Sequence, residues 1–163
     1  MLTATVKVKN QGKLNQKLRE IAAIRASVQV GFFSDAKYDD GTPVASVAYT
    51  NEYGVNGNPA RPFMHKTAKE NIHKWVRGIR KNVTGTGINK SSVARAYKMA
   101  GMVAVGDIKK TIRQWPPGGN SRRTVEMKRR RGRSGKNLVP IDPEIVLIDT
   151  GKMISSVSYE VKA

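Results

Sequence analysis

Val44-Ala-Ser-Val-Ala-Tyr-Thr-Asn-Glu-Tyr-Gly-Val-Asn-Gly-Asn-Pro-Ala-Arg-Pro-Phe-Met64 is the stretch on which the fold turns. Val44, Val47, Ala48 and the neighbouring Tyr49 keep a spacing of three and four, which predicts a short amphipathic helix. Gly54 stands where a left-handed C-cap belongs. Asn56-Gly57-Asn58 is turn chemistry, and Pro59 and Pro62 bias the residues before them toward extended backbone. Arg61 is therefore the one charged side chain inside a stiff proline bracket. At Phe63 a second helical pattern begins, so the segment reads helix, polar turn, helix.

Downstream, Pro62 suits the first turn of that second helix, expected to run to about Lys81. Ala68, Ile72, Trp75, Val76, Ile79 and Val83 form its apolar stripe, and Thr84-Gly85-Thr86-Gly87 ends it. Ser91 or Ser92 can cap a third helix over 93–114, with Val93, Ala96, Tyr97, Ala100, Ala104, Ile108 and Ile112 facing inward. Its small residues Ala100, Gly101, Ala104 and Gly106 predict close packing against another helix, in this chain or in a neighbouring subunit. The two long helices are expected to pair antiparallel.

Upstream, Leu2, Ala4, Val6 and Val8 alternate with polar residues, which predicts a strand over 2–9. Leu14, Leu18, Ile21 and Ala22 mark a helix over 13–24, and 27–33 alternates again as a second strand. The segment 34–42 reads as a polar turn. Near the other end, 139–148 regains apolar content but carries Pro140 and Pro143, which limits it to an edge strand or an extended return. Asp149 or Thr150 can cap a single helical turn over 152–155, and Val157, Tyr159 and Val161 share one face of a last strand. The expected fold is α+β: one domain over 1–163, a small mixed or antiparallel sheet of three or four strands, two long helices and shorter ones.

Between Trp115-Pro116-Pro117-Gly118-Gly119-Asn120 and that ending lies the densest charge. Arg122, Arg123, Lys128, Arg129, Arg130, Arg131, Arg133 and Lys136 face a single acid, Glu126, a local net of +7. With no apolar face legible in it, the segment is expected to be a mobile arm within about 116–140, ordered only on meeting a partner. The whole chain carries 30 Lys and Arg against 12 Asp and Glu, a net of +18, which calls for a polyanionic neighbour: nucleic acid or an acidic protein surface. Aromatic content of 6% is too thin for a base-stacking platform, so phosphates are the expected contact. The run's spacing cannot separate DNA from an acidic partner.

The 163 residues contain no cysteine, which removes disulfides and thiolate chemistry. No apolar run approaches the roughly 20 residues of a membrane helix, and 1–10 lacks the apolar core of a signal peptide, so a soluble protein made in the cytoplasm is expected. Converging reactive groups are scarce. His65 and His73 share a helix face but stand about 12 Å apart, too far for one metal. Asp35, Asp39 and Asp40 lack the calcium-loop spacing. Gly85-Thr86-Gly87 and Gly118-Gly119 lack the partners of a phosphate loop, and one Asp149-Thr150-Gly151 beside a helix start is more economically a cap than half of a protease site. No catalytic, cofactor or metal residue is expected.

Three motifs in order, Asn51-Glu52-Tyr53-Gly54, Pro59-Ala60-Arg61-Pro62-Phe63-Met64, and Leu147-Ile148-Asp149-Thr150-Gly151-Lys152-Met153 with Ser155-Ser156-Val157, resemble the tailed-bacteriophage family of tail-completion or head–tail joining proteins. The likeness spans about 28–161. It implies a non-catalytic virion subunit of the neck or upper tail, made in the host cytoplasm. It also implies a homo-oligomeric ring such as a hexamer around the DNA channel, with a tail terminator or tail-tube protein, a head connector and phage double-stranded DNA as neighbours. Glu52, Tyr53, Gly54, Pro59, Arg61, Pro62, Phe63, Asp149, Thr150 and Gly151 would then be fold or interface elements. The run from Arg122 to Lys136 matches nothing in the family pattern. The competing expectation is a stand-alone, sequence-independent nucleic-acid-binding protein that uses this run.

Overall fold

The computed structural model describes residues 11–55, 57–116, 119–133 and 142–162. Along these run α1 (Gln11–Ala23), β1 (Ser27–Gly31), α2 (Val44–Tyr53), α3 (Phe63–Thr86), α4 (Lys90–Arg113), α5 (Arg122–Arg133), α6 (Lys152–Ser155) and β2 (Ser158–Lys162). The class is α+β. Its described sheet has two antiparallel strands rather than three or four, with Val28 opposite Val161 and Val30 opposite Tyr159. The strand expected over 2–9 lies outside the described residues. Residues 142–148 form turns instead of an edge strand, because Asp142 accepts the Glu144 N–H at 2.9 Å and bends the chain at Pro143.

The helix pair α3–α4 is the frame. Its antiparallel pairing is fixed by polar rungs: Thr67 Oγ1 meets Thr111 Oγ1 at 2.7 Å, and Asp107 accepts from Lys74 Nζ and Trp75 Nε1, each at 2.7 Å. α3 runs past the expected Lys81 to Thr86, leaving at the second glycine of Thr84-Gly85-Thr86-Gly87 rather than the first. The cap of α4 also shifts. Asn89, not Ser91 or Ser92, is the N-cap; its side chain accepts the Ser92 N–H at 2.8 Å while Ser92 Oγ accepts the Asn89 N–H at 3.0 Å. Ser92 is thus the far half of a reciprocal capping box.

Among the small residues of α4, Gly101 faces the sheet, while α4 as a whole packs along α3. A Cβ on Gly101 would lie 2.5 Å from the Tyr159 ring of β2 and 3.0 Å from Val28 of β1. Only a bare backbone lets the strands lie this close. Beyond the sheet, the core gathers Val44 and Ala48 of α2, Phe63 of α3, Ile108 and Ile112 of α4, and Leu147, Ile148, Met153, Ile154 and Val157 from the return. Phe63 is wholly buried and meets Phe32 edge-to-face, ring centres 6.1 Å apart. The segments 44–63 and 147–157 therefore close on the same end of the helix pair.

Candidate functional site

That shared end is where the three motifs lie. α2 stops at Gly54, whose φ of 70° is left-handed, with its N–H returned to Thr50 O. A Cβ there would sit 2.5 Å from the Ala60 nitrogen, so the proline bracket folds back against a glycine that cannot be replaced without moving it. The bracket is then bonded down through its arginine. Arg61 N–H donates to Asn51 O at 2.6 Å, and Arg61 Nη1 donates to Asn51 Oδ1 at 3.1 Å. Burial holds the Arg61 guanidinium below its usual pKa.

Glu52 completes the corner. Pro62 occupies the N-cap of α3 and has no side chain able to accept the orphan N–H groups of the first turn. Glu52, only 6% exposed, supplies both acceptors from α2: Oε2 takes the Met64 N–H at 2.8 Å, and Oε1 takes the His65 N–H at 2.9 Å. His65 Nδ1 also lies 2.6 Å from Oε1. The carboxylate sits at the positive end of a 24-residue helix, where its charge is favoured. His65, too far from His73 to share a metal with it, is a partner of this cap. Tyr53 lies edge-on to its ring, and Tyr49 leans on Tyr53 with the rings tilted by 46° and their centres 4.7 Å apart. Tyr49 and Tyr53 are 59% and 55% exposed and give the corner an apolar outer face.

The third motif adjoins the first. Asn51 lines a small cavity of about 80 Å³ together with Tyr38, Asp149, Thr150 and Gly151. The helical turn α6 starts from Gly151 rather than from Asp149 or Thr150. Thr150 Oγ1 accepts only the Lys152 N–H, at 3.3 Å. Asp149 is committed elsewhere, pairing with the Arg131 guanidinium of α5. Burial first, and then the Asp149 and Asp40 charges, raise the Tyr38 pKa. In the acidic turn, Asp40 accepts the Thr42 N–H at 2.9 Å, a bond that holds its carboxyl below the usual range.

The basic run is not the mobile arm expected of it: 122–133 is a helix. Ser121 starts it, its Oγ accepting the Thr124 N–H at 3.1 Å. Val125 and Lys128, one turn apart, are 9% and 5% exposed. Lys128 Nζ donates to Ile145 O and to Ile148 O, each at 2.7 Å, and so ties the helix to the chain just before Asp149. The apolar face was hidden because half of it is a lysine stem, whose methylenes pack while its ammonium meets carbonyls. Burial lowers the Lys128 pKa; Asp149 and Glu144 oppose that shift, and Arg61 and Arg131 add to it. Arg61 of the bracket thus feels the same field as α5.

Of the other basic residues, Arg129 pairs with Glu144 at 3.6 Å and Arg130 with Glu126 at 3.2 Å. Arg122 and Arg123 point to solvent. Arg133 ends the helix, and Lys136 lies outside the described residues. Among the described residues no group of three or more His, Asp or Glu side chains could hold a metal ion, and no helix is long and apolar enough to cross a membrane. No protein-family model, curated protein or solved structure matches the chain.

Proposed function

We propose that this chain is a structural subunit of a tailed-phage virion, which completes the head-proximal end of the tail and joins it to the neck as one copy of a ring around the DNA channel. The observation that carries the reading is the unity of the corner. Asn51 and Glu52 bond directly to Arg61 and to the start of α3, and Asn51 shares a cavity wall with Thr150 and Gly151. The three motifs behind the family resemblance therefore meet at one corner of the fold, which supports reading them together. They are spent on backbone caps and turns, which suits a building block, and the exposed Tyr49–Tyr53 pair gives that corner a face for a neighbouring copy or a tail protein. The net charge of +18 suits a position beside packaged DNA.

Electron microscopy of particles made without this polypeptide tests the reading: filled heads and tails should accumulate unjoined. Tyr49→Ala with Tyr53→Ala should give the same defect while the purified variant keeps its fold, because both rings stand largely in water. Normal, infectious particles in the deletion would overturn the assignment. A stand-alone nucleic-acid-binding role has one observation in its favour, the outward Arg122 and Arg123 of α5. It predicts duplex binding that is lost with those two side chains, and no tail defect in the deletion.

A further inference from the structure

A row of exposed basic side chains also stands on α3. Lys66, Lys69, His73, Arg77 and Arg80 recur at intervals of three and four, so they fall within about 80° of one another around the helix axis. All five are exposed. Together they form a straight ridge about 21 Å long. Two acids stand on the α3–α4 pair near its basic side chains, and both are committed: Glu70 to Lys66, and Asp107 to Lys74 and Trp75. Among the described residues Lys69, Arg77 and Arg80 have no acidic partner. On α5, Lys128 is buried on carbonyls, and Arg129, Arg130 and Arg131 each face a carboxylate, which leaves Arg122 and Arg123 among its described basic side chains.

We infer that this α3 ridge is a docking surface for the phosphate backbone of duplex nucleic acid. A duplex presents one charge per about 1.7 Å along a stiff axis, and a rigid line of basic side chains carried by a 24-residue helix matches a stiff target. A flexible single strand is held by stacking as well as charge, and the ridge carries no aromatic side chain; Phe63 is buried and Trp75 is bonded inward to Asp107. Contact is through phosphates alone, so it is independent of base sequence and steep in salt. The inference stands on the charge and geometry of α3 and does not depend on the tail assignment.

The experiment is a salt titration of duplex binding by the purified full chain, using a short synthetic duplex of arbitrary sequence. Lys69→Gln with Arg77→Gln and Arg80→Gln should lower the slope of log K against log salt by about 2.7 and weaken binding roughly a hundredfold at 0.1 M salt. Each single substitution should lower the slope by about 0.9. The exchange Lys69→Arg with Arg77→Lys and Arg80→Lys keeps the charge and should leave both quantities unchanged. Arg122→Gln with Arg123→Gln should leave most of the slope in place. All these side chains are exposed, and helicity by circular dichroism should match the parent. An unchanged slope in the triple Gln variant would overturn the inference, as would loss of binding in the charge-keeping exchange. Binding that disappears with Arg122 and Arg123 alone would also overturn it. None of these outcomes touches the question of whether tails join heads, which the deletion particles answer separately.

Discussion

Replacing Glu52 by alanine removes both acceptors of the α3 N-terminus and the partner of His65 in one step. The freed N–H groups of Met64 and His65 are near Pro62, which offers nothing in exchange. The expected loss is about 2–3 kcal/mol of stability, measured by urea unfolding, with Glu52→Gln losing less because one carbonyl oxygen remains to accept. Gly54→Ala should cost at least about 2 kcal/mol, since it combines a left-handed φ with backbone contact at Ala60. Gly101→Ala meets a ring instead of backbone, and Tyr159 is only half-buried, so the smaller loss should appear as a shifted Tyr159 environment in near-UV circular dichroism.

At the scale of elements, α5 hangs on Val125 and Lys128. Lys128→Met keeps the stem but leaves the Ile145 and Ile148 carbonyls without a donor, at about 1–3 kcal/mol. Hydrogen exchange should show the amides of 122–133 opening in this variant, while those of α4 stay protected. The pH dependence has a definite sign. The folded pKa of Lys128 lies below the usual lysine value of 10.5, so between the two values the unfolded chain holds the extra proton. Lys128's contribution is therefore lowest when both states are charged and rises as pH climbs through that window. The Tyr38 pKa is raised above 10.0, so its folded state holds the extra proton and stability falls above that pH. Comparing urea midpoints of parent and Lys128→Met from neutral to alkaline pH isolates the first effect, with the parent gaining relative to the variant.

These same elements show what a reader of the sequence can and cannot reach. The helices α2, α3 and α4 follow from apolar spacing and from Gly54, because local chemistry decides them. The pairing of α3 with α4 follows from their length. The α5 helix escaped because its inward face is a lysine and a valine among arginines, a pattern that counts as polar until two carbonyls are seen beneath Nζ. The role of Glu52 escaped for a different reason. Its acceptors serve residues 12 and 13 positions downstream, and nothing local marks a carboxylate that caps another helix. Asn89 and Ser92 both carry capping side chains, and only their reciprocal bonding in the fold tells which is the N-cap and which its partner. The small residues of α4 were legible as a close approach, but the approaching object could not be named from their spacing.

For the whole molecule, a net charge of +18 on 163 residues acts against compactness. Like charges stand close along α3, with Lys66, Lys69, Arg77 and Arg80 on one side, and few acids relieve them. Screening should therefore stabilise the fold: the melting temperature is expected to rise between low salt and about 0.15 M, where the screening length falls to roughly 8 Å. A melting temperature independent of salt would mean that the ridge charges do not feel one another. The gain should be smaller in the variant with Lys69, Arg77 and Arg80 changed to Gln, which ties the stability measurement to the same side chains as the duplex titration.

Lys128 has a chemical consequence of its own. Its side chain is almost wholly covered and two of its ammonium hydrogens are engaged by carbonyls, so an acylating reagent that decorates the surface lysines should pass it by. Mass mapping after a brief treatment with an activated ester would find 128 unmodified beside heavily labelled 66, 69 and 81. The site would react only once α5 lifts away, which makes a single amine a stopwatch for that opening.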